Sequence, residues 1–126
     1  MKLKEIKEIL NAEVLTGEYD TEMEIEIGCS SDLMSDILAF AKPGVILVTS
    51  LTNIQVINTA NMADIKAVCF VMGKIPGANI INLAKKDGIV VFQTKLTTFE
   101  CCGLLYKNGL KSCSYSTFDE FRTYII

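Results

Sequence analysis

The sequence predicts an α/β fold: a single domain whose mainly parallel sheet is built from repeated β-α units, with helices on both faces. Two observations carry this. A unit made of a β-branched run, a polar turn and a helix-period segment occurs three times, as Val45–Thr49 into Ser50–Asn53, Ala67–Val71 into Gly73–Pro76, and Ile89–Phe92 into Gln93–Thr98. The runs are apolar at successive positions, so both faces of each strand are buried, as in a parallel sheet covered by helices. At 126 residues, 50% of them hydrophobic, the chain fits one domain with a core large for its length.

Taken in order, Lys2–Leu10 places Leu3, Ile6, Ile9 and Leu10 on one helical face opposite lysines and glutamates, and Asn11 serves as its cap. Ala12–Leu15 is a short strand, with Thr16-Gly17-Glu18 as the turn after it. Met23–Ile27 alternates apolar and acidic residues, the pattern of an edge strand whose glutamates discourage stray pairing. Ser30 or Ser31 supplies an N-cap oxygen for a helix carrying Leu33, Met34, Ile37, Leu38 and Phe40, which Lys42-Pro43-Gly44 ends.

Strand Val45–Thr49 leads through Thr52-Asn53 into a helix with Ile54, Val56, Ile57 and Ala60, closing near Asp64. Strand Lys66–Val71 precedes a helix over Ile75–Lys86 stopped by Gly88, and strand Ile89–Gln93 precedes one from about Thr98 to Asn108 stopped by Gly109. In the tail, Ser116 or Thr117 would cap a short helix bearing Phe118, Phe121 and Ile125. Phe121–Ile126 equally suits a strand. The domain is expected to span 1–110, with 111–126 a C-terminal extension that docks on the core or on a partner subunit.

Composition narrows the function classes. A net charge of −3 with lysines scattered among acids gives no basic cluster for phosphate neutralisation, so nucleic acid is not an expected partner. The apolar runs fall far short of the ~20 residues of a membrane span, and the charged start is unlike a signal peptide, so no membrane partner and a cytoplasmic location are expected. Cys29, Cys69, Cys101, Cys102 and Cys113 are odd in number and lack CxxC spacing, and read as free thiols.

There is no histidine, hence no His-assisted nucleophile and no imidazole acid or base. GxxxxGK[ST], GxGxxG and HExxH are absent as well, so the expectation is no enzyme, no cofactor and no metal. Cys101-Cys102 and Cys113 are weighed as a thiolate metal site and set behind small apolar packing, because adjacent helical residues point about 100° apart.

Ligand-binding candidates cluster in loops. Ser30, Ser31 and Asp32 open a helix, where free amides and the dipole attract anions; capping is the competing reading. Thr49, Ser50, Thr52 and Asn53 stand at the carboxyl end of an expected central strand, the place where such sheets bind ligands. Gly73 and Lys74, then Thr94, Thr97 and Thr98 with Lys95 between them, occupy the matching turns of the next two strands. Against this stands the ordinary polarity of β-α loops.

Five segments in order, Leu3-Lys-Glu-Ile to Gly17, Ser31–Phe40, Gln55–Ala60, Asp64–Lys74 and Thr94–Gly103, make the chain resemble a stand-alone DRTGG domain over Lys2–Leu110. The naming string itself is absent. The resemblance implies a small α/β domain similar to the N-terminal domain of HPr kinase. Relatives are fused to phosphotransacetylase or lie between CBS domains of regulatory pyrophosphatases, where they help form the dimer.

The leading expectation is therefore a non-catalytic regulatory or ligand-sensing module. It self-associates as a homodimer and takes a small anionic ligand such as a nucleotide at the strand-end turns. The alternative is a pure protein–protein interaction or dimerisation domain without a small-molecule ligand; a regulatory protein partner fits either. A third reading is an enzyme using Cys101 or Cys102 as a thiolate, distinguishable by native-state alkylation.

Overall fold

The computed structural model describes residues 1–113; the helix or strand expected within the tail lies outside the described residues. In chain order the elements are α1 (Leu3–Ile9), β1 (Glu13–Val14), β2 (Ile27–Ser30), α2 (Met34–Phe40), β3 (Ile46–Thr49), α3 (Ile54–Met62), β4 (Ala67–Phe70), α4 (Ala78–Lys86), β5 (Val90–Gln93), α5 (Thr98–Lys107) and β6 (Lys111–Ser112). The six strands form one sheet in the order β1-β5-β4-β3-β2-β6, parallel at every pairing except β1 with β5.

From β2 to β5 each new strand is added on the same side of the last, so right-handed crossovers put α2, α3 and α4 together on one face. After β5 the chain crosses back through α5, on the opposite face beside α1, to β6, the last described element. Alternation along the strands splits the core accordingly. Ile46, Val48, Cys69 and Phe92 pack with Leu3, Ile6, Leu10, Cys101 and Leu105 of α1 and α5. Leu47, Val68, Phe70 and Val91 pack with Ile37, Val56, Ile57, Ala60, Ile80 and Ala84 of α2, α3 and α4. The doubly covered parallel sheet is thus as the sequence predicts.

Four helices end alike. The residue after the last turn is left-handed in α1 (Asn11, φ 48°), α3 (Asp64, φ 56°), α4 (Gly88, φ 70°) and α5 (Gly109, φ 104°). In each the next amide returns to a carbonyl in the last turn, as Ile89 N–H does to Ala84 O at 2.9 Å.

Three sequence expectations are corrected. Met23–Ile27 is not an edge strand: its backbone clasps the start of α1, with Leu3 N–H donating to Met23 O at 2.9 Å and Ile25 N–H to Met1 O at 2.7 Å, and the strand begins only at Ile27. That strand lies inside the sheet between β3 and β6. Ser30 and Ser31 do not cap α2. Ser30 is the last residue of β2, and the N-cap is Leu33 without a side-chain cap bond, because Ser31 Oγ turns back to accept from the Leu33 amide at 3.0 Å. Finally, α4 starts at Ala78 rather than Ile75, since Ile75 precedes proline, where the helical region is disfavoured.

Candidate functional site

The carboxyl ends of β2, β3, β4 and β5 lie side by side, and so do the turns that follow them. Asp32, in the loop after β2, reaches across to the turn after β3. Its Oδ1 accepts from Thr49 Oγ1 at 2.9 Å and from the Ser50 amide at 2.9 Å, while Oδ2 accepts from Ser50 Oγ at 2.7 Å. Thr49 is fully buried and its hydroxyl also accepts from the Leu51 amide at 3.2 Å. The donors, Ser50 Oγ foremost, hold the Asp32 carboxyl below the usual carboxylate range, with the Lys74 charge adding to the effect.

Lys74, from the turn after β4, donates through Nζ to Ser50 O at 3.1 Å. Asp32, Ser50 and Lys74 therefore form one polar chain across three loops, with a carboxylate and an ammonium both bonded to Ser50. Asn53 Oδ1 accepts from the Gln55 amide at 3.0 Å and caps α3; Thr52 is half-buried beside it.

The turns after β4 and β5 mark the point where connections diverge, α4 to one face and α5 to the other, which is where an open sheet ordinarily leaves a crevice. Here backbone bonds span it. Met72 N–H donates to Leu96 O at 2.8 Å and Gly73 N–H to Thr94 O at 2.9 Å, with both residues left-handed at φ 60° and 69°. A left-handed Met is uncommon and is held by these two bonds. The Gly73 amide is thus occupied, and Lys74 enters the site through its side chain.

Thr94 is buried and its hydroxyl donates to Leu10 O at 2.7 Å while accepting from Leu96 N–H at 3.2 Å, bracing the end of α1. Thr97 is the N-cap of α5 in a capping box: its Oγ1 accepts from the Glu100 amide at 3.2 Å and Glu100 Oε1 accepts from the Thr97 amide at 3.2 Å. That Thr-x-x-Glu signal was legible in the sequence. Thr98 is half-buried in the first turn and Lys95 is exposed.

Of the first group, Ser31 bonds locally to Leu33, and Ser30 points to the other face, where its hydroxyl meets the Cys102 thiol. The structure brings together Asp32, Thr49, Ser50 and Lys74. It leaves Ser30, Thr94 and Thr97 in separate local roles. The sequence suggested no link between Asp32 and Ser50, because 18 residues separate them. Among the described residues no group of three or more Cys, Asp or Glu is arranged to hold a metal ion, and no helix is long and apolar enough to cross a membrane.

With this geometry in hand, comparison with protein families matches the DRTGG domain over residues 5–107, so the chain belongs to the DRTGG domain family, a class of regulatory α/β domain. No curated protein matches it. Among solved structures it is similar to the CBS and DRTGG domains of the regulatory region of Clostridium perfringens pyrophosphatase, in complex with the activator diadenosine tetraphosphate. The TM-score is 0.70 and the identity 21%, covering 82% of this chain and 45% of that one. The chain thus spans under half the length of that regulatory region, and the likeness is one of fold.

Proposed function

We propose that this chain is a non-catalytic, cytoplasmic regulatory module that binds a nucleotide-class anion on the rim made by Asp32, Ser50, Thr52, Asn53 and Lys74, with the buried Thr49 bracing Asp32. The observation that carries the reading is that the Asp32 carboxylate and the Lys74 ammonium are both bonded to Ser50. Three of the roughly four lone-pair positions of Asp32 are filled, leaving one on Oδ2 for a ligand hydroxyl. Lys74 spends one of its three N–H groups on Ser50 O and keeps two for phosphate oxygens.

A bare phosphate would meet the Asp32 charge, and a nucleoside would leave Lys74 unmatched. A ligand carrying both a ribose hydroxyl and a phosphate suits the pair. The pyrophosphatase neighbour is complexed with a ligand carrying both groups, which supports the reading by analogy of fold alone.

The test is thermal unfolding and calorimetric titration of the full chain with ATP, diadenosine tetraphosphate, adenosine and inorganic phosphate. Ligand at 100 times its Kd stabilises by about 2.7 kcal/mol. The expected result is a shift with the nucleotides, lost in Lys74→Ala and reduced in Asp32→Asn. No shift with any nucleotide refutes the reading.

Self-association as a homodimer belongs to the same proposal. It is favoured by apolar side chains left in water on two helices: Phe40 (43% exposed) with Leu38 on α2, and Phe99 (88%) with Tyr106 on α5. The segment 111–126 is proposed as the docking extension, its first two residues pairing with β2. Light scattering at high micromolar concentration should give twice the chain mass, and Phe99→Glu with Tyr106→Glu or Leu38→Glu with Phe40→Glu should halve it. A monomeric wild-type chain removes the dimer and leaves the ligand reading to its own test.

A further inference from the structure

Gly28 of β2 pairs with Ser112 of β6, so the next residues on the two parallel strands, Cys29 and Cys113, stand opposite one another, and Cys113 N–H donates to Gly28 O at 3.0 Å. Neighbouring strands lie about 4.8 Å apart, within the Cα separation of roughly 4.4 to 6.8 Å that a disulfide bridges. Both side chains point to the α2, α3 and α4 face, in the same half of the core. They also border a cavity of about 250 Å³ beside Ser31, Ile37 and Phe40, open to solvent, with residual exposures of 9% for Cys29 and 7% for Cys113.

The chain contains an internal contrast. Cys69 and Cys101 also form a thiol pair, yet both are 0% exposed inside the other half of the core. Geometry thus supplies two thiol pairs and access to one.

We propose that Cys29 and Cys113 are a thiol–disulfide exchange site that takes electrons to a low-molecular-weight disulfide of the glutathione class and closes into a cross-strand disulfide. The Cys113 thiol is the entering nucleophile, because its contact with Cys29, its own backbone and the nearby Lys42 hold it down to about 7, while the same contact pushes the Cys29 thiol up. The Cys113 thiolate attacks one sulfur of glutathione disulfide, forming a mixed disulfide and expelling one glutathione thiolate.

Capping Cys113 removes the negative charge that kept Cys29 protonated. Cys29 then loses its proton, attacks the Cys113 sulfur and expels the second glutathione thiolate. Two cysteine thiols are oxidised by two electrons, one disulfide is reduced to two thiols, and the two protons end on glutathione. The product ties β6 to β2 covalently.

The experiment uses the full chain, incubated at neutral pH with glutathione disulfide, quenched by alkylation, then unfolded for thiol counting and peptide mass mapping. The expected result is that the five free thiols fall by two, with one disulfide joining Cys29 to Cys113 and with Cys69 and Cys101 still reduced. Cys29→Ala should instead retain glutathione on Cys113. An unchanged thiol count, a wild-type chain that keeps glutathione on Cys113 beside a free Cys29, or a disulfide between any other pair overturns the proposal; the wild-type chain alone decides it.

Discussion

Asp32 and Ser50 are joined by two hydrogen bonds, to the Ser50 amide at 2.9 Å and to its hydroxyl at 2.7 Å. One short side chain thereby holds the loop after β2 and the turn after β3 as a single piece. Lys74 extends the link to the turn after β4.

Asp32→Ala removes the acceptor of the buried Thr49 hydroxyl and of the Ser50 amide. An orphaned buried donor costs about 1–3 kcal/mol, so urea unfolding should show a loss in that range with an unchanged m-value. A loss near zero would mean that water replaces the carboxylate without penalty.

The Asp32 carboxyl is depressed in the folded state, so the unfolded chain binds more protons as pH falls through the carboxylate range. Its contribution is therefore complete above the ordinary value of 3.8 and is lost as pH drops below it. Acid unfolding of Asp32→Asn should show a shallower dependence on pH below about 4 than the wild-type chain. An identical slope in the two would contradict this.

Glu22 acts in the same direction by a different cause. Lys2 at 2.7 Å and Lys4 at 2.9 Å lower its carboxyl to about 2. All three groups are exposed, so this dependence should fade in high salt, whereas that of Asp32, held mainly by neutral donors, should persist. Repeating the acid titrations of Glu22→Gln and Asp32→Asn in salt separates the two.

Thr97→Ala breaks the α5 capping box and should cost about 1 kcal/mol, with the first turn of α5 losing amide protection first in hydrogen exchange. Thr97→Ser, which keeps the hydroxyl, should recover most of it.

Phe92→Ala empties the centre of the α1/α5 half of the core, where the ring meets Tyr19 edge-on at a centroid distance of 5.8 Å. The expected cost is about 3–5 kcal/mol, a large share of the 5–15 kcal/mol available to a domain. Thermal unfolding read by circular dichroism would show a midpoint lower by many degrees, and a change of only a degree or two would place that ring outside the core.

The repeated apolar run, polar turn and helical segment is a local signal, and it determined the α/β class, the three central strands and the stops at Asn11, Gly88 and Gly109. Each depends on residues close in sequence: β-branched runs, left-handed caps and helical spacing. Tertiary structure alone decided the rest. The sequence placed Met23–Ile27 as a strand from its alternation, but that alternation equally suits an extended segment whose one face packs on α1, and only long-range bonds to Met1 and Leu3 choose between them.

The candidate site divides the same way. The turns holding Ser50, Lys74 and Thr94 were legible because parallel topology puts strand ends on one edge. Which side chains meet there was not, since Asp32 and Ser50 lie 18 residues apart and Lys74 a further 24. Ser31 and Asp32 are neighbours in sequence with opposite fates, one turned into a local bond and the other across the sheet edge. Contacts of this kind depend on the register of β2 against β3, which is fixed only when the two halves of the core close on the sheet.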